Sequence, residues 1–98
     1  MERWLTIPGY PRYKVSDHGR IQGIRKMLKQ RANVRTRYFM VDLSHKGKYK
    51  THNVHRLVAK AFCPGETSER CCVDHIDRNR QNNHWTYIRW FSRTNNLI

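Results

Sequence analysis

Acidic side chains are scarce in this chain. Seven Asp and Glu stand against 20 Lys and Arg in 98 residues, a formal net charge of +13. Self-repulsion on that scale opposes compaction, so a partner that neutralises it is expected. Cysteine is also sparse. Its three positions, Cys63 and the adjacent Cys71 and Cys72, make an odd count with no disulfide framework, which points to reduced, partly buried thiols. No apolar run approaches the roughly 20 residues that span a bilayer. Met1-Glu2-Arg3-Trp4 leads into turn residues instead of a secretory apolar segment. No membrane association and a cytoplasmic location are therefore expected. A chain this short holds one modest core, with no room for a cofactor domain beside a substrate domain. No small-molecule cofactor is expected.

What is abundant is arginine, 13 residues against 7 lysines. Guanidinium groups favour bidentate contacts to phosphate over diffuse charge attraction. Nucleic acid is accordingly the leading partner, since its phosphates release counterions when cationic side chains bind. An acidic membrane surface comes second, and a basic structural protein without chemistry is the plain alternative.

Turn residues punctuate the first third: Pro8-Gly9, Pro11 and Ser16-Asp17-His18-Gly19. Between them Tyr13–Val15 and Arg20–Gln22 read as short strands, and residues 24–36 as a basic loop or ragged strand. From Arg37 to Leu43 the residues alternate, with Phe39, Val41 and Leu43 on one face and Tyr38, Met40 and Asp42 on the other. Ser44–Gly47 is a turn, and Lys48–Asn53 returns as the partner strand. Lys46, Lys48 and Lys50 make this hairpin a basic ribbon suited to phosphates, or equally an edge strand guarded by lysine. Val54, Leu57, Val58, Ala61 and Phe62 recur at helical spacing. The helix they predict has Asn53 as N-cap and Pro64-Gly65 as its stop.

The chemistry-bearing segment is Val73-Asp74-His75-Ile76-Asp77-Arg78-Asn79-Arg80-Gln81-Asn82-Asn83-His84. A short strand ends in an Asp-His pair, a polar loop follows, and Ile88–Trp90 reads as a second strand. Ser92 is placed to N-cap a last helix containing Asn95 and Asn96. Phosphodiester hydrolysis needs a base for the attacking water and positive charge at the leaving oxygen. A carboxylate suits Mg²⁺, which prefers oxygen ligands and keeps several waters, and a neutral imidazole suits the base. Strand neighbours point to opposite faces, so Asp74 and His75 can share a site only where the strand breaks into the loop. Arg78, Arg80, Arg89 and Arg93 are the candidate phosphate clamps. His84, with Cys71, Cys72 or His75, does not match the paired spacings of zinc sites. His55 is expected to be a partly buried, hydrogen-bonded residue. His18, His45 and His52 lie near turns, within reach of phosphate.

The helix Val54–Phe62, followed by Val73–Asp77, Asn82-Asn83 and Arg89-Trp90, resembles the core of small phage-type HNH homing endonucleases. Trp4, Ile7–Tyr10, Tyr13–Ser16 and Gly19–Ile21 resemble the NUMOD4-like module often fused before that core. The two cover nearly the whole chain. The resemblance implies a ββα-metal (His-Me finger) unit that cuts DNA to leave 5′-phosphate and 3′-hydroxyl ends. In it His75 is the general base, and Asp74 and Asn96 hold one Mg²⁺ or Mn²⁺. The fold expected is α+β in one small domain: N-terminal β-hairpins over residues 1–50, then one central helix and the nuclease core over 51–98. A monomer or weak homodimer is expected. Tyr87 stands where the family places an asparagine that braces the loop of the base, a role open to Asn82 or Asn83. The alternative function is therefore a nucleic-acid-binding protein with a decayed nuclease site.

Overall fold

Strand alternation and turn chemistry build three small antiparallel sheets around one helix in the computed structural model of the chain, which describes residues 1–92. The first sheet comprises β1 (Trp4–Ile7), β2 (Tyr10–Ser16) and β3 (Ile21–Gln22), in that order. The second comprises β4 (Arg31–Ala32), β5 (Phe39–His45) and β6 (Lys48–Asn53). Helix α1 (Val54–Phe62) follows, and β7 (Cys72–His75) pairs with β8 (Ile88–Phe91) as a two-stranded ribbon. This is the expected α+β class with hairpins before one helix.

Pro11 reads as a turn in the sequence, yet it lies inside β2, which begins at Tyr10. The β1–β2 register jumps there, from Thr6 opposite Lys14 to Ile7 opposite Tyr10. Within such a bulge no ladder N–H is required of the proline. The β5–β6 hairpin follows its alternation: Val41 and Leu43 are buried, and Asp42 faces solvent across from Thr51. Lys46, Lys48 and Lys50 are all exposed, on the turn and on the edge strand β6.

Helix α1 matches its expected bounds, but two expectations about it need correction. The Asn53 side chain makes no capping hydrogen bond. Asn53 is the last residue of β6, paired with Met40, so the β5–β6 ladder sets where the helix starts. The buried face also extends beyond the apolar stripe: His55 and Ala59 are buried, whereas Ala61 and Phe62 are half-buried. The cause is that strands from all three sheets pack on the helix, so more than one side of it loses water. The core joins Ile7, Val15, Ile21, Val41, Leu43, Val54, Leu57, Val58, Ala59, Ile88 and Trp90.

The β2–β3 turn is tied to the C-terminal third. Trp85 N–H donates to the Asp17 carbonyl at 2.8 Å, and the Gln30 side chain donates to the Gly19 carbonyl at 2.7 Å. Gly19 has φ +87°, and a Cβ there would lie 2.7 Å from Asn83 Cβ. Gly47 has a similar φ of +79° but open space around it. Gly19→Ala is therefore expected to destabilise more than Gly47→Ala. The left-handed backbone costs each about 1–2 kcal/mol, and the contact with Asn83 adds to the first alone. Thermal melts of the two variants check this, and equal Tm losses would refute the contact.

Candidate active site

Strand β7 ends at His75, opposite Ile88, and the ladder continues through an Ile76 N–H to Tyr87 carbonyl bond of 2.8 Å. Alternation turns the His75 side chain inward, where the residue is 4% exposed, and leaves the Asp74 side chain 37% exposed. A cavity of about 220 Å³ at the strand's end nevertheless touches both, and Tyr38, Arg78 and Arg80 complete its lining. The two groups thus reach one site where the strand gives way to the loop.

The imidazole is held by its Nε2, 2.9 Å from the Oδ1 of buried Asn83. An amide oxygen only accepts, so Nε2 carries the proton and Nδ1 is left as the basic nitrogen. The ring lies nearly parallel to Tyr38, with centroids 5.6 Å apart and an angle of 20°. His55 packs 5.0 Å from it. His55 itself is 5% exposed, and its Nδ1 has no hydrogen-bond partner. The expectation of a partly buried, hydrogen-bonded His55 is corrected in this respect. Burial, then the nearby His75 and Arg56, push its pKa down to about 4.

Asp74 faces Arg89 across the ribbon. The guanidinium binds one carboxylate oxygen, Oδ2, through Nε at 3.2 Å and Nη2 at 3.1 Å. Arg89, a candidate phosphate clamp in the sequence, is thus engaged with the Asp74 carboxylate.

The density of Asn and Asp in the loop has a local cause. Asp77 accepts from the Asn79 N–H and the Asn82 amide, Asn79 from the Gln81 N–H, and Asn82 from the His84 N–H. Short polar side chains replace ladder bonds as the frame of the turn. The Asn82 amide and the loop N–H groups hold the Asp77 carboxyl below its usual range. Arg78 adopts φ +61° within this turn. Arg80 donates to the Thr36 carbonyl at 2.9 Å, and its guanidinium lies 5.3 Å from the Tyr38 ring centroid. Arg37, Arg78 and Arg80, with Asn79 and Gln81, line an adjoining groove of about 410 Å³.

Two expected site residues, Asn96 and Arg93, lie outside the described residues, as does the closing helix. Tyr87, in the family's asparagine position, is 45% exposed, and its backbone alone enters the ribbon. Asn83 is the residue that holds the His75 imidazole. Tyr38 escapes sequence reasoning because it reads as one face of a hairpin, and no local pattern places it 37 residues ahead of its partner His75. Of the turn-adjacent histidines, His52 bonds the Tyr10 hydroxyl at 2.9 Å instead of standing open to solvent. Cys71 is exposed, against the expectation of partial burial, while Cys63 and Cys72 meet it. A larger hollow, about 540 Å³, is walled by Pro11, Arg12, Lys14, Gln22, Gly23 and Ile24. It holds cations but no acid or base, so room alone does not locate the chemistry.

Among the described residues no group of three or more His, Cys, Asp or Glu could hold a metal ion. Among the described residues, the cavity wall offers the carboxylate of Asp74. Such a hard oxygen fits a cation that retains most of its waters, as Mg²⁺ does, better than it fits zinc.

The ribbon of β7 and β8 thus carries an Asp-His pair at its end, with the imidazole held by an amide. The comparisons give the class: residues 2–55 match the NUMOD4 motif and residues 52–97 match the HNH endonuclease family. The chain belongs to the HNH endonuclease family, with the NUMOD4 motif in front. HNH nucleases are metal-dependent. The chain is 40% identical over 97 residues to DNA endonuclease I-HmuI of Bacillus phage SP01, across 96% of this chain and 55% of that protein. It is 31% identical over 94 residues to an uncharacterized HNH endonuclease of Acanthamoeba polyphaga mimivirus, across 96% of this chain and 28% of that one. The solved structure described as DNA binding and cleavage by the HNH homing endonuclease I-HmuI superposes with a TM-score of 0.90 at 39% identity, covering 97% of this chain and 55% of that chain. The chain therefore spans about half the length, or less, of these relatives. No helix among the described residues is long and apolar enough to cross a membrane.

Proposed function

We propose that this chain hydrolyses phosphodiester bonds in DNA with a divalent metal, Mg²⁺ or Mn²⁺, leaving 5′-phosphate and 3′-hydroxyl ends. The observation that carries this is the His75 Nε2 to Asn83 Oδ1 bond, in a wall shared with Asp74. It leaves Nδ1 as the acceptor for a proton from water. His75 takes that proton, the hydroxide attacks phosphorus, the bond to the 3′ oxygen breaks, and the 3′ oxygen is protonated by solvent. Asp74 would hold the ion, with Asn96 as the second protein ligand. Bound there, the ion supplies positive charge at the departing oxygen. Arg78 and Arg80 bind flanking phosphates at the cavity rim, and the Lys46, Lys48 and Lys50 ribbon extends the cationic surface. The activity survives Tyr87 because Asn83 supplies the amide that orients the base.

A supercoiled plasmid tests this. Open circles should form with Mg²⁺ or Mn²⁺ and not with EDTA, and Asp74→Ala should nick at least about 10-fold more slowly. A wild-type chain that binds plasmid without nicking it in either metal would favour the decayed-site alternative. Affinity cannot separate the two, because both bind DNA in a salt-sensitive way.

A further inference from the structure

We infer that Tyr38, on the loop before β5, is a positioning residue: its ring is the platform that sets both the His75 imidazole and the Arg80 guanidinium. This rests on the nuclease reading of the cavity.

Three observations place the ring among the side chains around the cavity. It lies nearly parallel to His75 at 5.6 Å, it packs 4.4 Å from His55, and the Arg80 guanidinium sits 5.3 Å from its centroid. It also lines the cavity with Asp74, His75, Arg78 and Arg80. The backbone presenting it is tied at each step. Asn33 Oδ1 accepts the Arg35 and Thr36 N–H groups, the Asn33 N–H donates to the Tyr38 carbonyl, and the Tyr38 N–H donates to Thr36 Oγ1. Arg37, at φ +67°, turns the chain just before it.

A single hydrogen bond from Nε2 lets an imidazole pivot about that bond. A flat neighbour removes the pivot, and with it the loss of correctly aimed encounters between Nδ1 and water. The same ring takes up rotamer freedom from Arg80, whose Nη1 is already fixed on the Thr36 carbonyl. Binding phosphate then requires less ordering of a long cationic side chain. Tyr38 thus carries a contribution from the NUMOD4 part of the chain into the HNH part.

The test compares wild type, Tyr38→Phe and Tyr38→Leu by plasmid nicking and by the ring-nitrogen NMR spectrum of His75 at one fixed pH. Tyr38→Phe keeps the ring face and should match wild type in both. Tyr38→Leu should lower kcat by about 10–100-fold and raise KM, as loss of a supporting contact does, and its His75 ring signals should shift and broaden relative to wild type, while the bond to Asn83 keeps the Nε2–H form. Arg80→Ala should raise KM, because it removes a phosphate contact at the cavity rim. If Tyr38→Leu does not fold, Tyr38→Met, which keeps length without a ring face, is read in its place. Wild-type kcat together with a wild-type His75 spectrum in the ring-less variant would overturn the platform. If wild type does not nick at all, the nuclease reading falls, and the His75 spectra alone decide whether Tyr38 positions the ring.

Discussion

His75→Gln is expected to nick plasmid about 10²–10⁴-fold more slowly than wild type, the range for removal of a general base, with DNA affinity unchanged. Glutamine retains an N–H donor for Asn83 but cannot take a proton from water near neutral pH. His75→Ala removes both functions and opens a cavity where a 4% exposed ring stood, so it should lose stability as well as rate. The pair of variants separates chemistry from packing. A glutamine variant that nicks at the wild-type rate would show that another group takes the proton. Affinity holds because the contribution of the protein's charge to binding lies in exposed Arg and Lys, not in this buried ring.

The second large effect is on stability and follows from His55. Its ring is buried as the neutral form, its Nδ1 has no partner, and its pKa falls from 6.5 to about 4. The unfolded chain binds the proton that the folded chain refuses between those two values. Stability is complete above about pH 6.5, declines as pH falls, and reaches its full loss below about pH 4. The total is about 3 kcal/mol for this one residue, from the separation of the two values at 1.36 kcal/mol per pKa unit. His55→Phe should flatten the Tm against pH between 7 and 5. Residual slope there belongs to His52, which burial and then Lys50 shift downward in the same sense. The carboxyls held down by partners, among them Asp42 by Arg31 and Thr51 and Asp77 by Asn82, act only below the ordinary carboxylate range. An unchanged pH slope in His55→Phe would show that the ring is protonated or hydrated in the fold.

The placement of His55 shows where sequence patterns stop being informative. Spacing in Val54–Phe62 foretells a helix and names Val54, Leu57 and Val58 as its core, because a helix repeats locally whatever it packs against. It does not foretell that His55 is buried too. That depends on how many neighbours the helix has, and here three sheets close on it. The same division applies to Pro11. Its residue type signals a turn, and only the register of β1 against β2 reveals a bulge that accepts it.

Within the site, the sequence by itself determined the Asp74-His75 pair, its position at a strand's end, and the asparagine-rich loop behind it, since these lie within a dozen neighbouring residues. Charge and composition pointed to a polyanionic partner in the same way, as sums that need no geometry. Only the tertiary structure decided which asparagine holds the imidazole, that Arg89 faces Asp74, and that Tyr38 stands beside His75. Each of these joins residues whose contact depends on strand register and sheet packing. Such packing is set by the whole core at once, and no local window of sequence contains it.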